Sequence, residues 1–360
     1  MIAVRLTLIA VSAVFGVGLA SCSNVGGLTP EGAGMQQRSS APAPAATERV
    51  RIKEFADLPQ YSSDDYSPTA IASGPEHSLW VTDTIDQDYG ENLVAQINTS
   101  GARLKTFYYQ GLSTEGSSFQ DITAGPDGAL WITDYYNSQI VRMTTNGTFS
   151  NFPLNTEPFA ITVGPDKALW FTEYSAIGRI TTKGKVTIYA AGSLDDDITA
   201  GPDGALWFTE LKGNAIGRIT TRGKITTYTN GISSGAGPYS IASGPDGALW
   251  FTEATGGRIG RITTSGKVTE YSGGITPTEE PQGIAAGPDG AMWFTEYESY
   301  DSYRIRESKI GRITRAGRIS EYSKGLSGTS GPGDIVAGPD GNMWFVEGYA
   351  DRTGRLRIER

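Results

Sequence analysis

Ile198-Thr199-Ala200-Gly201-Pro202-Asp203-Gly204-Ala205-Leu206-Trp207-Phe208-Thr209-Glu210 decides the fold. Two short apolar runs, each with strand composition, flank a Gly-Pro-Asp-Gly tetrapeptide. Pro presets a turn φ and the closing Gly accepts positive φ, so the tetrapeptide reads as a hairpin turn. The phrase recurs with its Trp at 80, 131, 170, 207, 250, 293 and 344, which are all the tryptophans of the chain. Copies 37 to 51 residues apart are too small to bury a core singly, so the chain is a seven-copy repeat protein.

The rest of each copy gives the repeat its anatomy. In the fourth copy, strand A is expected over Ser193 to Ala200, strand B over Ala205 to Glu210, strand C over Ala215 to Thr220 and strand D over Ile225 to Thr229. Four strands on hairpin-scale turns, repeated seven times, predict an all-β, seven-bladed β-propeller over residues 49–360. The isoleucines of strand A (Ile71, Ile122, Ile161, Ile198, Ile241, Ile284, Ile335) should fill the inner core, and each Trp should wedge between blades. The last copy runs out after its third strand, Arg355 to Glu359. Val50 to Phe55 matches the missing fourth strand, so the N-terminal strand should complete the last blade and close the ring.

Forty-seven glycines and 18 prolines fit many short strands on tight turns. A net charge of −9 with no Lys/Arg run excludes nucleic acid and an anionic membrane surface as partners. Residues 1–21 carry one Arg and then an apolar core from Leu6 to Ala20, which is too short for a span and suited to a secretory signal. The signal ends at Leu19-Ala20-Ser21-Cys22, which resembles a bacterial lipoprotein cleavage box. Cys22, the only cysteine, is therefore the expected lipidation site. Residues 22–48, centred on Ala41-Pro42-Ala43-Pro44, read as a flexible tether. The expected product is a monomer in the bacterial cell envelope, extracytoplasmic and held to the membrane by lipid alone.

Propeller turns sort onto two faces. The A–B and C–D turns are short and uniform, whereas the B–C and D–A connections vary, which makes the second face the expected seat of function. The two longest B–C segments, Thr84 to Leu93 and Tyr297 to Lys309, are expected to be loops. Strand B ends in a carboxylate in every copy: Asp83, Asp134, Glu173, Glu210, Glu253, Glu296 and Glu347, with Asp121, Asp197 and Asp334 nearby. Such a ring could hold a hard cation. The structural alternative pairs each with the Arg of strand C (Arg142, Arg179, Arg218, Arg261, Arg312, Arg355). Gln96 replaces that Arg in the first copy, so Asp83 should be the least neutralised. In the Tyr297 to Arg306 segment, Tyr300, Tyr303 and Arg304 supply stacking faces and donors for a ligand. Asp86 to Asn92 has calcium-loop composition without the full ligand pattern and reads as a solvated loop. His77, the sole histidine, falls in a uniform turn away from the carboxylates, and no Ser-His-Asp, Cys-His or zinc site can be assembled.

The repeats Gly-Pro-Asp-Gly-Ala-Leu-Trp-Phe-Thr-Glu and Ile-Gly-Arg-Ile-Thr-Thr-x-Gly-Lys-Val-Thr-x-Tyr resemble those of the streptogramin B lyases, also called virginiamycin B lyases. The resemblance covers about residues 49–360 and implies a seven-bladed propeller. It also implies Mg²⁺-assisted C–O elimination that opens a cyclic depsipeptide, with carboxylates on the metal and a histidine moving the proton. The family's site is a Glu-x-His before strand A of the sixth blade and a Glu ending its strand B. Here those positions read Glu280-Pro281-Gln282 and Glu296. Both carboxylates are present and the histidine is Gln282. A second family histidine falls at Tyr239 or Ser240. The resemblance thus implies a possible Mg²⁺ pair at Glu280 and Glu296 without its proton carrier, with Tyr239, Tyr297 and Glu279 as the available substitutes. The expected function is binding of a small molecule or an envelope protein at the variable face through a degenerate site. The alternative is a Mg²⁺-dependent C–O lyase acting on a cyclic depsipeptide or related ester.

Overall fold

The computed structural model describes residues 49–56, 67–86, 91–110, 118–192, 197–301 and 304–359. The signal peptide, Cys22, the tether, Tyr303 and the middle of the Asp86 to Asn92 segment lie outside these residues. So does the start predicted for strand A of the fourth blade. The described residues form seven four-stranded antiparallel sheets, six of them made of consecutive strands. The seventh combines Pro332–Ala337, Met343–Glu347 and Arg352–Glu359 with the N-terminal strand Arg49–Phe55. That strand pairs with the last strand along its whole length, from Arg49 opposite Glu359 to Phe55 opposite Thr353. The ring is closed as its sequence predicts. Among the described residues no helix is long and apolar enough to cross a membrane.

All seven strand A isoleucines are buried, and all seven tryptophans are fully buried. Each Trp lies in a cluster with its neighbour's strands. Trp131, for example, packs with Ile161, Leu169 and Phe171 of the third blade. Its ring stacks on the aromatic residue of its own strand D, as Trp207 does on Tyr228 at 5.4 Å. In the last blade this partner is Phe55, at 5.4 Å from Trp344, so ring closure is also an aromatic contact. The C–D turn glycine of the following blade then covers that aromatic ring. Gly266, with φ +89°, leaves no room for a side chain against Tyr228.

The Gly-Pro-Asp-Gly turn does more than reverse the chain. Asp203 Oδ1 accepts from the Trp207 indole N–H at 3.0 Å, and its Oδ2 accepts from Arg218 Nε at 2.7 Å. The same pair of bonds recurs at Asp127, Asp166, Asp246 and Asp289. The arginine also lies over its Trp ring, 5.8 Å from the centroid for Arg218. This corrects the expected pairing of the strand C arginines with the strand B carboxylates. Register puts Arg218 opposite Trp207 and Ala215 opposite Glu210, so the Arg serves the turn end of the sheet. In the first blade Gln96 likewise bonds Glu76 of the turn, at 2.9 Å, and is no measure of Asp83's environment.

A second correction concerns the two long connections. In the sixth blade strands Met292–Asp301 and Arg304–Ile313 continue into the predicted loop as an extended hairpin, with Asp301 opposite Arg304. In the first blade Ser78–Asp86 and Glu91–Ile97 extend in the same way. Alternation with β-branched and aromatic residues continues past the carboxylate, so pairing continues with it.

Candidate functional site

At the variable-loop end, the first residues of each strand A surround the propeller axis. There they line a cavity of about 240 Å³. Gln120, Phe159, Tyr239 and Gln282, each two residues before its buried Ile, contribute side chains to it. Asp121, Asp197 and Asp334, one residue before theirs, form a deeper set. Each staples two blades. Asp334 Oδ2 accepts from Ile71 N–H at 2.9 Å, Asp121 Oδ2 from Ile161 N–H at 2.7 Å, and Asp197 Oδ2 from Ile241 N–H at 2.8 Å. Burial raises all three above the ordinary carboxylate range, neighbouring carboxylates add to it at Asp121 and Asp334, and Asp334 reaches about 7. These aspartates tie neighbouring blades together around the cavity.

The carboxylates that end strand B are buried. In the last three blades each belongs to a repeated cluster. Glu253 faces Arg258 at 3.9 Å, which also approaches Glu270 at 3.8 Å. Glu347 has Glu54 and Arg352 beside it. The strand D carboxylate clamps the incoming D–A loop: Glu270 accepts from Ser233, Glu321 from Thr276 and Glu54 from Ser327, each through both N–H and O–H. Burial first, and then the neighbouring carboxylates, push Glu253 and Glu347 to about 8 and Glu296 to about 9. Burial thus penalises the charged form of each of these groups.

The sixth-blade residues separate into two environments. Glu280 pairs in register with Tyr297, whereas Glu296 pairs with Pro281 and Lys309. Successive strand residues face opposite sides of a sheet, so Glu280 and Glu296 point away from each other. Glu296 belongs with Glu279, Glu307, Glu321 and Lys309, and Lys309 bonds Glu279 at 3.0 Å. Glu280, half-buried and raised by burial alone, belongs with Tyr297. Among the described residues no group of three or more acidic, His or Cys side chains could hold a metal ion. Lying on opposite sides of the sheet, Glu280 and Glu296 do not fit as the shared pair for the Mg²⁺ that the family resemblance implies.

The substitutes for the absent histidines can be judged by the same geometry. The Gln282 side chain lies at the mouth, its Nε2 donating to the Glu280 carbonyl at 3.2 Å. An amide there positions but does not exchange a proton. Burial first, then Tyr239, Tyr349 and Glu280, hold the Tyr297 phenol well above its usual value, which makes it a poor base. Glu279 is held by Lys309. Tyr239 stands at the cavity, 40% exposed. Tyr300 and Arg304 lie on the two strands of the extended hairpin. Sequence reading missed Tyr349. It follows the last strand B by two residues, sits 54% exposed and meets Tyr297 edge-on at 6.4 Å. Its signal was positional, since Tyr136 also stands two residues beyond a strand B carboxylate.

The virginiamycin B lyase family profile matches residues 54–302 and 276–360. A streptogramin B lyase structure is 31% identical, covering 88% of this chain and 100% of its own, with a TM-score of 0.73. Virginiamycin B lyase from Staphylococcus aureus is 33% identical over 86% of this chain and 100% of its own, with a TM-score of 0.72. A catalytically inactive histidine-to-alanine variant of the Staphylococcus aureus enzyme, with quinupristin, is 32% identical over the same shares, with a TM-score of 0.71. No curated protein matches the chain significantly.

Proposed function

Because this chain belongs to the virginiamycin B lyase family yet carries Gln282 where the resemblance places a histidine, we propose that it is a ligand-binding propeller without lyase activity. It is held in the bacterial cell envelope through lipid on Cys22, and it takes a small molecule at its variable-loop face. The observation that carries this reading is the separation of Glu280 from Glu296 on opposite sides of one sheet, beside an amide. A metal-assisted elimination needs a polarising cation and a proton acceptor together, and a positioned acid or base alone contributes about 10²–10⁴-fold. The histidine-to-alanine relative is catalytically inactive and was obtained with quinupristin. In that protein, retention of the ligand and turnover are separable.

The test is product formation from quinupristin with Mg²⁺ or with chelator. The expected rate is background in both. Turnover that chelator abolishes would establish the lyase reading instead. Anchoring is tested separately: Cys22→Ser should move the protein from the membrane to the soluble fraction, and a wild type already soluble would contradict it.

A further inference from the structure

Tyr297, paired with Glu280 across the sixth-blade sheet, meets Tyr349 of the seventh blade, and Tyr239 of the fifth acts on it electrostatically. Tyr239 comes from the first residues of strand A in the fifth blade (Pro238–Ser243), and Tyr297 from strand B of the sixth. Tyr349 follows strand B of the seventh. Tyr297 and Tyr349 stand at 66° to one another with centroids 6.4 Å apart, two near-perpendicular walls. The third phenol, Tyr239, and the carboxyl of Glu280 are the other groups acting electrostatically on Tyr297. Tyr349 is exposed but seated. Its N–H donates to Ser330 O at 3.1 Å, and its ring rests on Gly331, where φ is +59° and a side chain would collide with it. Gly331 is fixed in turn by its N–H bond to Ser308 Oγ, opposite Tyr297 in the sheet. Among the described residues no basic side chain pairs with Glu280.

We propose that Tyr239, Tyr297 and Tyr349, with Glu280, form an aromatic box that receives an alkylated ammonium group of the ligand. Ring faces attract a cation through their quadrupoles, which favours quaternary ammonium over neutral groups of the same shape. An anion would meet only an acidic carboxyl there. The proposal rests on the binding reading above and names the chemistry of its ligand.

The experiment titrates the full chain with choline and with its neutral isostere 3,3-dimethylbutan-1-ol, by calorimetry, in wild type, Tyr349→Ala, Tyr349→Phe and Glu280→Gln. The expected result is saturable choline binding, at least about tenfold weaker binding of the isostere, and a loss of about tenfold in Tyr349→Ala. Tyr349→Phe should bind almost as wild type, because the ring face and not the hydroxyl makes the contact. Glu280→Gln should weaken choline and leave the isostere unmoved. Equal binding of choline and isostere, or an unchanged Tyr349→Ala whose melting shows it folded, would overturn the box. Quinupristin retained with no competition from choline would sink the box alone. Failure to retain either would sink the binding reading with it.

Discussion

The two ends of strand B are chemically opposite. At the turn end an Asp receives a Trp N–H and an Arg, and the second to sixth blades all repeat the arrangement. Burial alone would raise that Asp, but the two donors outweigh it, so Asp203 and Asp246 sit below the usual carboxylate range. At the loop end Glu253, Glu296 and Glu347 are fully buried, lie beside other carboxylates, and are raised to about 8 or 9. One end is fully satisfied and uniform; the other is strained electrostatically and differs between blades. The comparison teaches that stability is concentrated on one face, which leaves the other free to vary its tyrosines and polar groups.

The largest break in that comparison is removal of residues 49–56, which takes away the fourth strand of the last blade and the Phe55 partner of Trp344. The melting transition should collapse, whereas deletion of residues 23–48 should leave it in place. Equal melting of the two truncations would contradict closure. Next, Trp207→Ala should cost about 3–5 kcal/mol, read by urea unfolding. Asp203→Asn should cost about 1.5–3 kcal/mol through its two charge-assisted bonds. A loop-end change such as Glu210→Gln should cost far less than either. A comparable loss there would erase the distinction between the ends.

The raised carboxyls sharpen the contrast through pH. A folded carboxyl with a raised pKa holds a proton that the unfolded chain has already released, so its contribution is complete below the ordinary carboxylate range and is lost as pH rises through its folded value. For Asp334, Glu253 and Glu347 that window runs from about 4 up to about 8. Tm should therefore be higher near pH 5.5 than near pH 8.5, and Glu253→Gln with Glu347→Gln should flatten the slope. A Tm that rises with pH would contradict it. The smallest expected effect lies at the turns. Lys167 holds φ +59° where five other copies have Gly, so Lys167→Gly should stabilise by up to about 1 kcal/mol.

Much of the turn end was legible in the sequence because it repeats. Seven tryptophans at regular spacing fix blade number, and a missing last strand with a matching N-terminal one fixes closure. The turn Asp was legible only as part of a hairpin signal, without its bonds to the Trp and the Arg, and the strand C arginine was read toward the wrong end. Spacing along a strand does not say which end faces which face; register does. The loop end was legible only as a list. Glu280 and Glu296 look like a pair by their family positions, yet the one-residue offset in pairing turns them to opposite sides. Tyr349 joins Tyr297 only once the seventh blade is seated beside the sixth.

Retention of ligand without conversion is tested by equilibrium dialysis of quinupristin against the propeller, followed by chromatography of what the protein retained. Ring opening by elimination conserves every atom, so retention time and not mass is the readout. The predicted result is saturable retention of intact cyclic quinupristin, unchanged by Mg²⁺ or chelator. Ring-opened ligand in the retained fraction, or no retention at all, would contradict it.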